Sequence, residues 1–120
     1  MIEAFNKTFH IENGEEITNA LKEAFGTQFG FADWNLAEFH ALPGGIVEVK
    51  GIDYNDKGEI DVIHNKTIYE AVIGDTLIEL FGERFGFADC ALQEFYYVVS
   101  APATIYLDGR AKLEVKGYRE

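Results

Sequence analysis

Apolar residues recur with helical spacing at two places in this chain. Ile17, Leu21, Ala24 and Phe25 stand at i, i+4, i+7 and i+8, and Ile73, Leu77, Leu80 and Phe81 repeat the stripe. That spacing puts each set on one face of an α-helix. Asn13 and Glu16 are spaced as a capping box ahead of the first stripe. Gly26 and Gly82 follow the stripes where a left-handed residue would stop each helix. The pattern predicts helices over about 15–26 and 74–83.

Elsewhere the period falls to two. Ile46-Val47-Glu48-Val49-Lys50, Ile60-Asp61-Val62-Ile63-His64 and Leu113-Glu114-Val115-Lys116 read as strands. Pro43-Gly44-Gly45, Asn55-Asp56-Lys57-Gly58 and Asp108-Gly109 are turn signals, and Asn6-Lys7 and Asn65-Lys66 read as two-residue hairpin turns. Two stretches stay open. Residues 67–74 fit a strand or an extension of the second helix, because Thr67 and Glu70 also have capping-box spacing. Residues 32–40 fit a short helix on Ala32, Leu36 and Phe39, whereas Phe95-Tyr96-Tyr97-Val98-Val99 favours a strand; agreement between the two tips both to strand.

That agreement is expected because the chain repeats itself. Residues 17–39 laid over 73–95 are identical at thirteen of twenty-three positions, including Phe29-Gly30-Phe31-Ala32-Asp33 and Phe85-Gly86-Phe87-Ala88-Asp89. Asn6-Lys7-Thr8 recurs as Asn65-Lys66-Thr67. Chance would give roughly one or two identities. The reading is one α+β domain over 1–120, internally duplicated as tandem repeats of about 1–58 and 59–120. It is mainly antiparallel sheet with one helix per repeat and a pseudo-two-fold axis. Two copies are too few for a solenoid, so each half is expected to cover the other's apolar face, with the Phe rings filling the seam.

Charge narrows the partners. The 21 acidic and 10 basic side chains leave a net −11, shared almost evenly by the two halves. Such a body repels phosphate and anionic lipid and attracts basic protein or ribonucleoprotein surfaces; direct nucleic-acid binding and a membrane partner are not expected. Cys90 is the only cysteine, the opening MIEAFNKTFH lacks a signal-peptide pattern, and no apolar run spans a bilayer, so a cytoplasmic location is expected.

The candidate chemistry fails on its details. Asp53-Tyr54-Asn55-Asp56-Lys57-Gly58-Glu59-Ile60-Asp61 follows a calcium loop in part, but Lys57 stands at a ligand position and His64 where the closing Glu belongs. A hairpin turn is the better reading. His10, His40 and His64 align with Tyr69, Tyr96 and Phe5, so no symmetric metal or general-base site exists. Cys90 aligns with Trp34 and has no base beside it, which reads as core divergence. The two Asn-Lys-Thr triplets match a glycosylation acceptor that has no consequence without secretion. No catalytic residue, metal ligand or cofactor is assigned.

What remains is carboxylate. Asp33, Glu38, Asp89 and Glu94 are the acids kept in both halves, and four of them about a pseudo-dyad would present negative charge at phosphate-like spacing; Asp53, Asp56, Glu59 and Asp61 add a second cluster. These eight are the candidate partner-binding residues. The profile is that of a non-enzymatic stoichiometric inhibitor or decoy of a nucleic-acid-handling enzyme, as anti-CRISPR, anti-restriction and nuclease-immunity proteins are, acting as monomer or homodimer. The alternatives are a ligand-binding or hydrolytic module at an aromatic seam, using His40, His64 or Cys90 with Tyr96 and Tyr97, and a structural or assembly protein.

Overall fold

Both apolar stripes are helical, and each runs one turn past the glycine that the sequence marks as its end. The computed structural model describes residues 1–100 and 109–120, so Asp108 of the predicted Asp108-Gly109 turn lies outside the described residues. Strand β1 is Glu3–Ile11. Helix α1 covers 15–29, α-helical over Glu15–Leu21, π-helical over Lys22–Gly26 and α-helical again over Thr27–Phe29. Then come β2 (Leu36–Leu42), β3 (Ile46–Tyr54), β4 (Ile60–Ile68), α2 (Gly74–Phe85), β5 (Ala91–Val99) and β6 (Ala111–Arg119).

The residues that stop the helices are Gly30 and Gly86, with φ of +80° and +78°. Each stop is a Schellman turn, Phe31 N–H reaching Gly26 O and Phe87 N–H reaching Gly82 O, both at 2.8 Å. Gly26 and Gly82 are buried inside the helices for a different reason. A Cβ at either would sit 2.8 Å from the Cα of Ala32 or Ala88, in the returning chain. Helix and loop close tightly only because these positions carry no side chain. At the other end of α1, Asn13 Oδ1 accepts from Glu15 N–H at 3.0 Å, while Glu16 faces Arg84 instead of closing a capping box.

The architecture is α+β: one six-stranded antiparallel sheet in the order β1-β6-β5-β2-β3-β4, with two helices. Both helices lie on the same side of it. Phe25 of α1 stacks on Phe39 of β2 at 5.5 Å and Phe81 of α2 on Phe95 of β5 at 5.5 Å. Phe39 is directly opposite Tyr97, two residues from Phe95, so both stacks share a face. The core between the layers adds Ile17, Leu21, Leu77, Val47, Val49, Leu113 and Val115. With Phe39 lying 6.3 Å from Phe95 and Phe9 5.0 Å from Phe85, residues 1–58 and 59–120 share one core. They meet edge to edge through β2 and β5, because an unpaired strand edge is satisfied by backbone hydrogen bonds before any face need be covered. Each half also sends its first strand to the other, β1 onto β6 and β4 onto β3.

The two Asn-Lys-Thr triplets are not turns. They stand inside β1 and β4, the outer strands of the sheet, the first at mid-strand and the second toward the end. Asn6 and Asn65 are opposite Lys116 and Lys50, and Lys7 and Lys66 are opposite Val115 and Val49. Both valines belong to the core, so each lysine leans to the helix side of an edge strand; Lys7 Nζ lies 5.5 Å from the Phe5 ring centre. Polar residues suit a strand that has solvent on its flank, which is why turn-forming types sit there. The other turn signals hold. Gly44 and Gly45, both left-handed, close the β2–β3 hairpin, and Gly58 closes β3–β4. Of the open stretches, 67–68 ends β4, 69–73 is loop and Gly74 starts α2, whereas 32–35 is a turn and 36–40 is strand.

Candidate functional site

Period two in β2 and β5 sends Phe39 and Phe95 to the core and Glu38, His40, Glu94 and Tyr96 to the face turned away from the helices. His40 and Tyr96 are directly opposite each other at the middle of the β2–β5 pair, their ring centres 4.4 Å apart. His40 Nε2–H donates to Glu94 Oε1 at 2.6 Å, and the Tyr96 hydroxyl donates to Glu38 Oε1. Lys50 lies 3.9 Å from the other oxygen of Glu38, and Lys116 lies 3.8 Å from that of Glu94. Register continues the row outward. Glu48 is opposite His40 and Thr67, and Glu114 is opposite Tyr96 and Thr8. A polar row thus crosses all six strands. A shallow depression of about 240 Å³ beside it is lined by Glu38, His40, Glu48, Lys50, Asn65 and Thr67.

The Glu38 carboxylate accepting its hydrogen bond, with some desolvation, pushes the Tyr96 phenol up to about 12. Tyr97, on the core side, is raised by burial and partly offset by its bond with Thr18; its hydroxyl donates to Gly14 O at 2.7 Å. A phenol that holds its proton more tightly folded than unfolded stabilises the fold below pH 10, and that contribution is lost as pH rises through about 12. Phenolate absorbance should therefore show Tyr96 and Tyr97 ionising late, and Tyr96→Phe should remove one late step. Six phenols ionising together near pH 10 would contradict the Tyr96–Glu38 bond.

The remaining candidates fall at separate places. Asp53 accepts from His64 Nε2–H at 2.7 Å and from Asn35 N–H at 3.2 Å, and His64 stacks on Trp34 at 4.6 Å. Asn55 Oδ1 accepts from the N–H of Lys57 and of Glu59, which is hairpin chemistry. The supposed calcium loop is thus a β3–β4 turn bearing Asp56 and Glu59, with Asp61 at a bulge in β4. Among the described residues, no three His, Cys, Asp or Glu side chains converge as a metal would require. Cys90 is buried, with Arg119 Nη2 3.5 Å from its sulfur; Arg119 also pairs with Asp89 at 3.2 Å and caps Gly86 O. Asp33 and Asp89 lie in the turns after the helices, whereas Glu38 and Glu94 are on the open face of the sheet. The four repeated acids do not gather on one surface.

The charge gathers elsewhere. Residues 12–33 and 70–89, the helices with their flanking turns, each hold five Asp/Glu against one Lys/Arg, which is −8 of the net −11. Glu12, Glu15, Glu16, Glu23, Glu70, Asp75, Glu79 and Glu83 join Asp33 and Asp89 there. Sequence reasoning missed this layer because it weighted acids by recurrence and not by the element that carries them. It also set His40 aside for failing to match Tyr96, although Glu38-Phe39-His40 and Glu94-Phe95-Tyr96 share a period of two that puts acid and ring on one face.

No helix of the described residues is long and apolar enough to cross a membrane. Compared with protein-family models, curated proteins and solved structures, the chain has no significant match.

Proposed function

We propose that this chain is a non-enzymatic acidic binding protein whose helix layer occupies a basic surface of a protein or ribonucleoprotein, as an inhibitor or decoy of a nucleic-acid-handling enzyme would. The observation that carries the reading is the division of charge. The helices and their turns hold −8, relieved by the Arg84–Glu16 and Arg119–Asp89 pairs and by Lys7 and Lys66 at the sheet edges, whereas Glu38 and Glu94 on the open sheet face are already engaged by His40, Tyr96, Lys50 and Lys116. An excess of carboxylates on one layer steers a cationic partner to that layer and holds phosphate away. The central His40–Tyr96 cluster has its polar atoms committed to one another, which favours a role in joining β2 to β5 over one in turnover.

The layer would owe its form to duplication of an ancestral half-length unit. Thirteen identities in twenty-three support this, as do the matching Phe25–Phe39 and Phe81–Phe95 stacks and the equivalent registers of the Asn-Lys-Thr triplets. Each half then supplies −4 to a common surface.

The test is a partner captured from the native host. Its affinity should fall at least about tenfold between roughly 50 and 500 mM salt. Glu15, Glu16, Glu79 and Glu83 reversed to Lys should abolish capture, while Glu48→Gln with Glu114→Gln on the sheet face should leave it intact. Affinity indifferent to salt would sink the proposal.

A further inference from the structure

Exposed apolar side chains concentrate in one stretch of the chain. Of the nine large hydrophobic side chains exposed among the described residues, six fall between Ile60 and Leu80: Ile60, Val62 and Ile63 on β4, Tyr69 and Val72 in the following loop, and Leu80 on α2. The others are Met1, Ile2 and Tyr118. Met1 stands where Ile60 does and is exposed too, but the loop and helix positions have no large apolar counterpart in the first half. His10 stands where Tyr69 does, Glu16 where Val72 does, and Ala24 where Leu80 does. Two halves that agree at their core positions differ here.

The loop is held, not slack. Ala71 N–H donates to Gly45 O at 2.9 Å and Ile73 is buried in the core, which leaves Tyr69 71% and Val72 93% exposed. Glu70 between them has φ +58°, a left-handed backbone that a glutamate adopts only under constraint. A braced segment that presents two apolar side chains is pre-organised for contact. Glu70 and Asp75 flank it along the chain, with Glu79 and Glu83 further along α2 beside Arg84. Two copies meeting here would bring like charges together, and an anionic bilayer is repelled for the same reason. The surface that fits is cationic and apolar at once.

We infer that the partner is engaged asymmetrically, through the loop between β4 and α2, with Tyr69 and Val72 as anchors that enter an apolar pocket ringed by Lys or Arg on a basic protein. This rests on the acidic-layer reading and adds to it which half makes contact. The probes are two synthetic peptides of equal positive charge, one of Lys and Leu arranged as an amphipathic helix, the other of Lys and Ser. Binding is followed through the protein's amide resonances at low salt. The Lys–Leu peptide should bind about tenfold tighter, as expected for burying exposed apolar side chains, and should shift resonances between 60 and 80. Tyr69→Ser with Val72→Ser, both outside helix and strand, should reduce it to the Lys–Ser level while leaving Lys–Ser binding and the melting temperature unchanged. Equal binding of the two peptides, or shifts spread equally over α1, would overturn the anchors and leave the acidic layer standing. Binding of neither peptide would bring down the acidic layer itself. Self-association of the parent chain that the double variant abolishes would make the occupant a second copy and refute a basic partner.

Discussion

Phe95→Ala is expected to destabilise the fold by about 3–5 kcal/mol, and Phe39→Ala by as much. Both rings are fully buried, and each is enclosed by equivalent neighbours: Phe25 and Phe31 around Phe39, Phe81 and Phe87 around Phe95. The two rings also touch edge to face at 6.3 Å across the β2–β5 junction. A loss of that size is a large part of the roughly 5–15 kcal/mol that holds a domain of this kind together. Urea unfolding should show the midpoint falling with little change in slope. Because the rings share a contact, the double variant should depart measurably from the sum of the singles. A cost below about 1 kcal/mol at either position would mean that the helices do not pack over the β2–β5 junction.

The second large effect is on assembly. Replacing Lys7 and Lys66 by Val should turn a chain with defended edges into one that self-associates at micromolar concentration. Each lysine stands within an edge strand, opposite a core valine, where an added strand would bury its ammonium against the helix side. The bulge at Asp61 defends β4 further. Lys66→Val should have the greater effect of the two singles, since Ile60, Val62 and Ile63 are already exposed on that strand. Arg at both positions should keep the parent's behaviour. Sedimentation velocity over a concentration series reads the outcome. A double Val variant indistinguishable from the parent would show that the lysines are not what keeps the edges apart.

How far the chain could be read in advance follows from how local each signal is. The Ile17-Leu21-Phe25 and Ile73-Leu77-Phe81 stripes are contained in single helices and were legible, as were the alternating strands at 46–50 and 60–64. Helix ends were misplaced because Gly26 and Gly82 look the same as stop signals whether they end a helix or admit Ala32 and Ala88 against it. Strand β1 was hidden because Asn6 and Lys7 are turn formers by composition, and only a place at the sheet edge makes them suitable for a strand. The Glu38–Tyr96 and His40–Glu94 bonds depend on the β2–β5 register, which joins residues more than fifty positions apart. The acidic layer was present in the sequence, but it emerges only when charge is counted by structural layer.

Strand β1 pairs with β6 from Glu3 against Arg119 to Ile11 against Ala111. During synthesis β1 must wait until the elements between it and β6 have been made before its hydrogen-bonding partner exists. Such a closure is slow, because the longest loop is shut before its contacts repay the lost entropy. Until then the flank of β5 that β6 will cover is bare. The nascent chain is thus most vulnerable to wrong pairing before β6 is made, and that nine-residue strand seals two seams at once.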